Sequence, residues 1–220
     1  MNKFLPAIFI ALFFHNTMVS ASPEEDLTVF QNYFEDRFPD TEFNDYQNGV
    51  YSIHPSAREQ WESIEDFPPY EINVEQGEEL FNMPFKNGNT YASCFQNKGI
   101  GIRQNYPFFD EDTGELMTLE LAINNCRKMN GEKPLSYYKG GDMADISAYM
   151  AYTSRGNIID VKIPNNAKAL DAYESGKRLY FTKKGALNFS CADCHVFQAG
   201  TKLRADVTSP GIGHPTHFPA

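Results

Sequence analysis

The chain has few of the residues that ligate metals or form disulfides. Only four cysteines and five histidines occur among its 220 residues, all seven methionines precede Cys191, and no cysteine follows Cys194. Basic residues are also scarce, 19 against 29 acidic ones, and the net charge of -10 argues against nucleic acid, whose phosphates require a positive surface. Beyond an apolar stretch at the N-terminus there is no second long hydrophobic run, so no membrane span is expected after signal removal.

The N-terminal apolar stretch has the order of a secretory signal peptide. Lys3 precedes the apolar run 4–14, and Val19, Ser20 and Ala21 give the small-residue pattern that precedes a cleavage site. The run is well short of the ~20 residues that span a bilayer. We therefore expect residues 1–21 to be removed on export to the periplasm, and retention as a membrane anchor is the alternative. Disulfides can form in that compartment.

The stretch NFSCADCHVFQAG contains Cys191, Cys194 and His195 in the spacing C-x-x-C-H. This spacing places both thiols on one face of a helical turn, where they can add to the two vinyl groups of a haem while the histidine faces the iron. A zinc site would need a second pair of ligands, which the sequence does not offer. A redox dithiol would need a preceding strand and has no use for the histidine. One covalently bound haem c is therefore predicted, with His195 as an axial ligand of the iron.

The second axial ligand is left open by the sequence. Only His214 and His217 follow the motif as candidates, in a segment that also contains three prolines. Bis-histidine ligation through one of them is one alternative. The other, which the sequence favours, is that the chain ends inside the haem domain.

Charge is divided unevenly along the chain. From residue 166 onward seven basic residues oppose four acidic ones, whereas residues 22–165 are strongly acidic. Lys202 and Arg204 could attract a small anion or an acidic partner to the haem segment, and an ordinary solvated surface is the alternative.

Hydrophobic periodicity predicts a mainly α-helical chain. Residues 22–70 are predicted to be a leading segment of loops and short helices, one of them at 27–34, that wraps on a domain. Residues 71–163 are predicted to be a helical domain. Its first long helix would be capped by Thr113 and ended by Gly131, with an apolar face that consists of Leu116, Leu119, Ile123 and Cys126.

Two further helices are predicted. Asp142 would cap the first, which carries a core stripe of Met143, Ile146 and Met150 and ends at Gly156. The second would run from Ala167 to Thr182 after the break at Pro164 and lead into the haem motif, with Leu170, Tyr173 and Tyr180 on one face. Residues 164–220 are therefore predicted to be a haem c domain.

Cys94 and Cys126 remain once the haem motif is assigned. Most simply they form a disulfide that closes a loop of about thirty residues, which would stabilise the fold by about 3–4 kcal/mol. A free catalytic thiol at one of the two positions is the alternative.

Three stretches together resemble the SoxA family, the haem subunit of the SoxAX cytochromes of bacterial thiosulfate oxidation. They are NYPFFDEDTGELMTLELAINNCR, YMAYTSRG, and GKRLYFTKKGALNFSCADCH with its continuation into GHPTHFPA. The resemblance implies two cytochrome c-like domains. Diheme members carry C-x-x-C-H in the first domain, whereas this chain has SCFQNKG there, which implies the single-haem type with the Cys94–Cys126 disulfide in place of a haem. The family's distal cysteine, which is its active-site residue, and its substrate-binding arginine would lie beyond Ala220, so the haem domain is expected to be incomplete and to contain no catalytic residue.

The resemblance also implies an activity. The family is an L-cysteine S-thiosulfotransferase that oxidatively conjugates thiosulfate to a cysteine of the SoxY carrier, which is bound to SoxZ, and passes electrons to cytochrome c. Forming that sulfur–sulfur bond releases two electrons and one haem accepts one, so a SoxX-like partner with its own haem is implied. The alternative is a periplasmic electron-transfer c-type cytochrome with no sulfur chemistry of its own.

Overall fold

The computed structural model describes residues 21–137, 141–159 and 161–213. Predictions that concern residues 1–20, His214 and His217 fall outside this part of the chain. The elements are the helices α1 (Pro23–Arg37), α2 (Pro55–Glu65), α3 (Glu71–Asn82), α4 (Leu119–Met129), α5 (Asp142–Tyr152) and α6 (Ala167–Phe181), and the strands β1 (Phe108–Asp110), β2 (Glu115–Met117), β3 (Lys202–Leu203) and β4 (Asp206–Val207). Short 3-10 segments lie at Phe43–Ser52, Tyr91–Ser93, Gln96–Gly99 and Arg103–Asn105. The prediction of a mainly helical chain is confirmed.

A first hydrophobic core is built where α3 crosses α5. Gly77 of α3 lies so close to α5 that a Cβ atom at this position would be 1.9 Å from the backbone oxygen of Asp145. The side-chain amide of Asn73 donates a 2.7 Å hydrogen bond to the Asp145 carboxylate across the same crossing. Met143 and Met150, predicted as core residues, are both buried here. A glycine and a polar clamp thus fix how the two helices pack.

The same core contains the disulfide. Cys126, fully buried on α4, is bonded to Cys94, with Cα atoms 5.7 Å apart. Asn130 stands at the end of α4, and its amide nitrogen lies 2.9 Å from the Cys126 carbonyl oxygen and 3.5 Å from the Cys94 sulfur. The carbonyl oxygen of the same amide accepts hydrogen bonds from Asn87 and Asn89. The bond therefore ties the end of α4 to the loop that follows α3.

Two predicted helix starts are wrong. Helix α4 begins at Leu119 with Thr118 as its cap, not Thr113, because the preceding residues form the antiparallel hairpin of β1 and β2, in which Leu116 pairs with Phe109. Helix α5 is preceded by Gly141 as N-cap at a φ of 78°, so Asp142 is its first helical residue. The carboxylate of Asp142 therefore lies in the first turn, where it interacts favourably with the helix dipole.

A second core joins the two ends of the described chain. Phe34 of α1 and Tyr46 are buried against Ala192, Val196 and Ala199 of the haem motif. Helix α1 is longer than the predicted helix at 27–34, because Ser22 and Glu25 form a reciprocal capping box at its start. The leading segment therefore packs on the residues that carry the haem motif, although more than 140 residues separate them in the sequence.

Helix α6 leads into the haem motif. Its N-cap is Asn166, whose side chain accepts a 2.9 Å hydrogen bond from the Ala169 backbone, and it ends at Phe181, one residue before the predicted Thr182. None of the helices in the described ranges is both long enough and apolar enough to cross a membrane.

Candidate haem site

The haem motif forms a short helical turn with its own N-terminal cap. The Ser190 hydroxyl accepts a 3.0 Å hydrogen bond from the Asp193 backbone, and the Asp193 carboxylate accepts bonds of 2.7 and 2.9 Å from the Ser190 backbone and hydroxyl. Cys191 and Cys194 are free thiols within this turn, the first exposed and the second half-buried. The cap fixes the backbone on which both thiols stand.

His195 is oriented by the segment that follows the motif. Its Nδ1 atom lies 3.1 Å from the carbonyl oxygen of Ser209. A carbonyl oxygen only accepts hydrogen bonds, so Nδ1 carries the proton and the Nε2 lone pair is the one suited to a metal. The backbone oxygen of His195 accepts a 2.7 Å hydrogen bond from the Gly211 backbone. Ring and backbone of this histidine are thus held by one loop.

That loop approaches its neighbours too closely for larger residues. A Cβ atom on Gly211 would be 2.8 Å from the Tyr180 hydroxyl and 3.0 Å from the Phe30 ring. A Cβ atom on Gly213, whose φ is 62°, would be 2.1 Å from the Tyr46 carbonyl oxygen. Glycine at position 211 lets the loop lie against α6, α1 and the haem motif, and glycine at position 213 lets it lie against the 3-10 segment Phe43–Ser52. Burial raises the pKa of the Tyr180 phenol above its ordinary 10.

The chemistry of the site fits a covalently bound haem. Two free thiols at i, i+3 and an oriented imidazole occur together on one turn, as attachment and axial ligation require. Five large apolar side chains lie close to the motif in the sequence, on both sides of it, and each has about half or more of its surface exposed. They are Phe181, Leu187, Phe189, Phe197 and Leu203. A porphyrin is an apolar plate of the kind that such side chains cover. In the described part of the chain no cluster of three or more histidine, cysteine or acidic side chains is suited to a bare metal ion.

The charge of Asp193 stabilises the turn in a pH-dependent way. Hydrogen bonds from the Ser190 backbone and hydroxyl, aided by Lys183 at 3.5 Å, lower the pKa of Asp193 below its ordinary 3.8. A lowered folded-state pKa means that the stabilisation is present above 3.8 and is lost as the pH falls through the folded-state value.

The variant Asp193→Asn keeps an oxygen acceptor and removes the charge. Urea unfolding should therefore show a less stable variant near neutral pH, with the difference from the wild type vanishing well below 3.8. A difference that stayed constant over this pH range would show that the carboxylate charge plays no part.

The predicted site residues are distributed as follows. Cys191, Cys194 and His195 lie together on the capped turn, whereas the second-ligand candidates fall outside the described residues. Lys202 and Arg204 lie on the exposed hairpin formed by β3 and β4. Three contributors were missed. They are Ser209, whose carbonyl oxygen orients His195, and Tyr33 and Arg37 of α1, which donate hydrogen bonds to the Val196 and Ala199 carbonyl oxygens. Of the three, only Ser209 is close to the motif in the sequence.

The helical scaffold and the C-x-x-C-H turn together indicate a protein of the cytochrome c class. The SoxA/TsdA cytochrome c domain family matches residues 76–159. The chain is 50% identical over 203 residues to the L-cysteine S-thiosulfotransferase subunit SoxA of Allochromatium vinosum, covering 92% of this chain and 72% of that protein. It is 51% identical over 196 residues to the SoxA subunit of Chlorobaculum tepidum, covering 89% and 68%. These similarities show that the chain belongs to the SoxA family of L-cysteine S-thiosulfotransferase subunits.

A solved structure supports the same assignment. The crystal structure of SoxXA from P. pantotrophus superimposes with a TM-score of 0.58 at 34% identity, over 66% of this chain and 55% of the other. The matched cytochrome c domain, residues 76–159, contains Cys94 and Cys126 but no histidine. The haem motif follows it, at residues 191–195.

Proposed function

We propose that this chain is the single-haem subunit of a periplasmic SoxAX-type enzyme that conjugates thiosulfate to a carrier cysteine. The observation that carries the proposal is the capped turn with two free thiols and an imidazole oriented by Ser209, in a chain about 50% identical to SoxA subunits. The turn would hold the haem through Cys191 and Cys194 and ligate its iron through His195.

The number of haems follows from the first domain. Residues 76–159 match a cytochrome c domain, yet they contain no histidine, and the two cysteines within this range are bonded to each other. Neither a thioether pair nor an axial histidine is available there. We therefore assign one haem to the chain, with the disulfide stabilising the first domain.

The proposed reaction joins a carrier thiol to thiosulfate. The thiol R–SH and thiosulfate form R–S–S–SO3⁻, and one proton and two electrons are released. A haem held at the motif would accept one electron at a time, so a second acceptor is needed. A SoxX-like cytochrome partner would supply it, with SoxY and SoxZ as the carrier and a cytochrome c as the final acceptor.

The cysteines of this chain have other roles in the proposal. Cys94 and Cys126 are oxidised to a disulfide, and Cys191 and Cys194 are assigned to the haem. The described residues of this chain would hold and orient the haem and contribute the basic segment that contains the motif. Lys202 and Arg204, exposed beside the motif, would raise the local concentration of the thiosulfate dianion.

Reconstitution tests this function. The full-length protein is combined with its SoxX-like partner, the SoxYZ carrier, thiosulfate and an oxidised cytochrome c. We expect one haem per chain by the pyridine haemochrome assay and reduction of the cytochrome only when thiosulfate and carrier are both present. Omission of the carrier is the matched control. A haem that is reduced chemically but passes no thiosulfate-derived electrons would indicate the simple electron-transfer cytochrome instead, and two haems per chain would contradict the assignment of the first domain.

A further inference from the structure

Two side chains of α1 bind the carbonyl end of the haem-motif turn. The Tyr33 hydroxyl donates a 3.2 Å hydrogen bond to the Val196 carbonyl oxygen, and the Arg37 guanidinium donates one of 2.9 Å to the Ala199 carbonyl oxygen. The Arg37 guanidinium also lies 3.2 Å from the Tyr33 hydroxyl and 5.6 Å from the centre of the Phe38 ring. These donors come from more than 160 residues earlier in the chain.

The carbonyl groups at a helix end have no partner within the helix. In this turn the His195 oxygen is bound by Gly211 and the Ala199 oxygen by Arg37, and the Val196 oxygen is bound by Tyr33 in addition to a long 3.5 Å bond from the Ala199 backbone. His195 itself is thus held by the loop after the motif, and the backbone that follows it is held by helix α1.

Helix α1 is held in place from its other end and from its inner face. The Asp26 carboxylate accepts hydrogen bonds of 2.9 and 2.5 Å from Tyr173 and Lys177 of α6. Phe34 is fully buried between α1 and the motif, and the Tyr46 hydroxyl donates to the Phe34 carbonyl oxygen. Helix α1 is thus bonded both to α6, the helix before the motif, and to the turn that carries the motif.

We propose that residues 22–53 are a structural part of the haem site, in which Tyr33 and Arg37 act as positioning residues for His195. They act through the Val196 and Ala199 carbonyl groups and not by contact with the iron. The inference goes beyond the proposed function, although its haem readout rests on the proposed attachment at Cys191 and Cys194.

The test uses Arg37→Gln, Arg37→Lys and Tyr33→Phe in the full-length protein with its partner. Arg155→Gln is the matched control, because Arg155 follows the end of α5 and its guanidinium also lies over aromatic rings, those of Tyr70 and Tyr152, outside the second core. We expect Arg37→Gln to lower the haem midpoint potential, since a loss of positive charge favours oxidised iron, and to change its ligand-field spectrum. Arg37→Lys should restore most of the potential, Tyr33→Phe should change the spectrum with a smaller shift in potential, and the control should match the wild type.

A second readout does not need haem. In the variant Cys191→Ser/Cys194→Ser, Arg37→Gln should make the leading segment about tenfold more susceptible to limited proteolysis, because a charged hydrogen bond is lost. The fluorescence of Trp61, the single tryptophan, stacked on Tyr51 in the same segment, should change with it.

The outcomes are distinguishable. A potential and a proteolysis rate for Arg37→Gln that both equal those of Arg155→Gln would overturn the positioning role. A shifted potential with an unchanged ligand-field spectrum in both Arg37→Gln and Tyr33→Phe would also overturn it, because the charge of Arg37 alone would then account for the effect. A wild-type protein without haem would contradict the proposed function and leave the proteolysis result as the test of this inference.

Discussion

Replacing both Cys191 and Cys194 with serine is expected to abolish covalent haem binding completely. The serine hydroxyl keeps the shape of the capped turn but does not add to a vinyl group as a thiol does. Haem-stained denaturing gels and the intact mass should show full attachment in the wild type and none in the variant. His195 remains oriented by Ser209 in this variant, so weakly held haem, lost on denaturation, is compatible with the assignment.

The control for this result is the variant Cys94→Ser/Cys126→Ser, which also removes two cysteines. It should keep the haem, because Cys94 and Cys126 form a disulfide in the first core of the wild type and take no part in haem attachment.

A third variant, His195→Ala, separates attachment from ligation. It should retain thioether-bound haem with a changed ligand-field spectrum, since both cysteines are intact. Covalent haem in the first variant would refute the site.

Local signals explain how far prediction from sequence succeeded. Helix α6 was predicted to within one residue because Pro164 and Asn166 mark its start with a break and a cap. The start of α4 was wrong because a helical spacing of Leu116, Leu119 and Ile123 also fits a strand followed by a helix. In the structure Asp110 accepts hydrogen bonds from the backbones of Asp112 and Thr113, and this turn closes the hairpin that takes Leu116 out of the helix.

The contacts between distant segments could not be predicted by periodicity. Tyr33, Phe34 and Arg37 give α1 the mixed apolar and polar face of an ordinary surface helix. Nothing in the local sequence shows which other segment this face contacts. The pairing with residues 192–199 is fixed by shape, with Ala192 and Ala199 small enough to admit Phe34. The C-x-x-C-H motif, by contrast, can be recognised in the sequence because the chemistry it predicts depends on spacing alone. The proposed haem ligands are therefore local in the sequence, whereas the contacts to the turn that carries them come from distant segments.

Loss of the Cys94–Cys126 bond is expected to lower the free energy of unfolding by about 3–4 kcal/mol. The intact bond closes a loop of 32 residues and so reduces the conformational entropy of the unfolded chain. The midpoint of urea unfolding, followed by circular dichroism, should fall by about 1–2 M. The loss extends beyond entropy, because Cys126 is fully buried and Asn130 bridges its carbonyl group to Asn87 and Asn89.

The disulfide can be tested without a mutation that risks misfolding during export. A phosphine reductant cleaves disulfides and leaves thioether-bound haem attached, so reduced and oxidised samples of one preparation can be compared. We expect the form with a cleaved disulfide to unfold at lower urea while its haem spectrum, compared at the same oxidation state of the iron, stays unchanged, because the bond lies in the first core and His195 lies beside the second. Equal unfolding midpoints would mean that packing alone holds α4 in place. A haem spectrum that changed on reduction would instead show that the two cores are coupled, since the reductant leaves the thioethers intact.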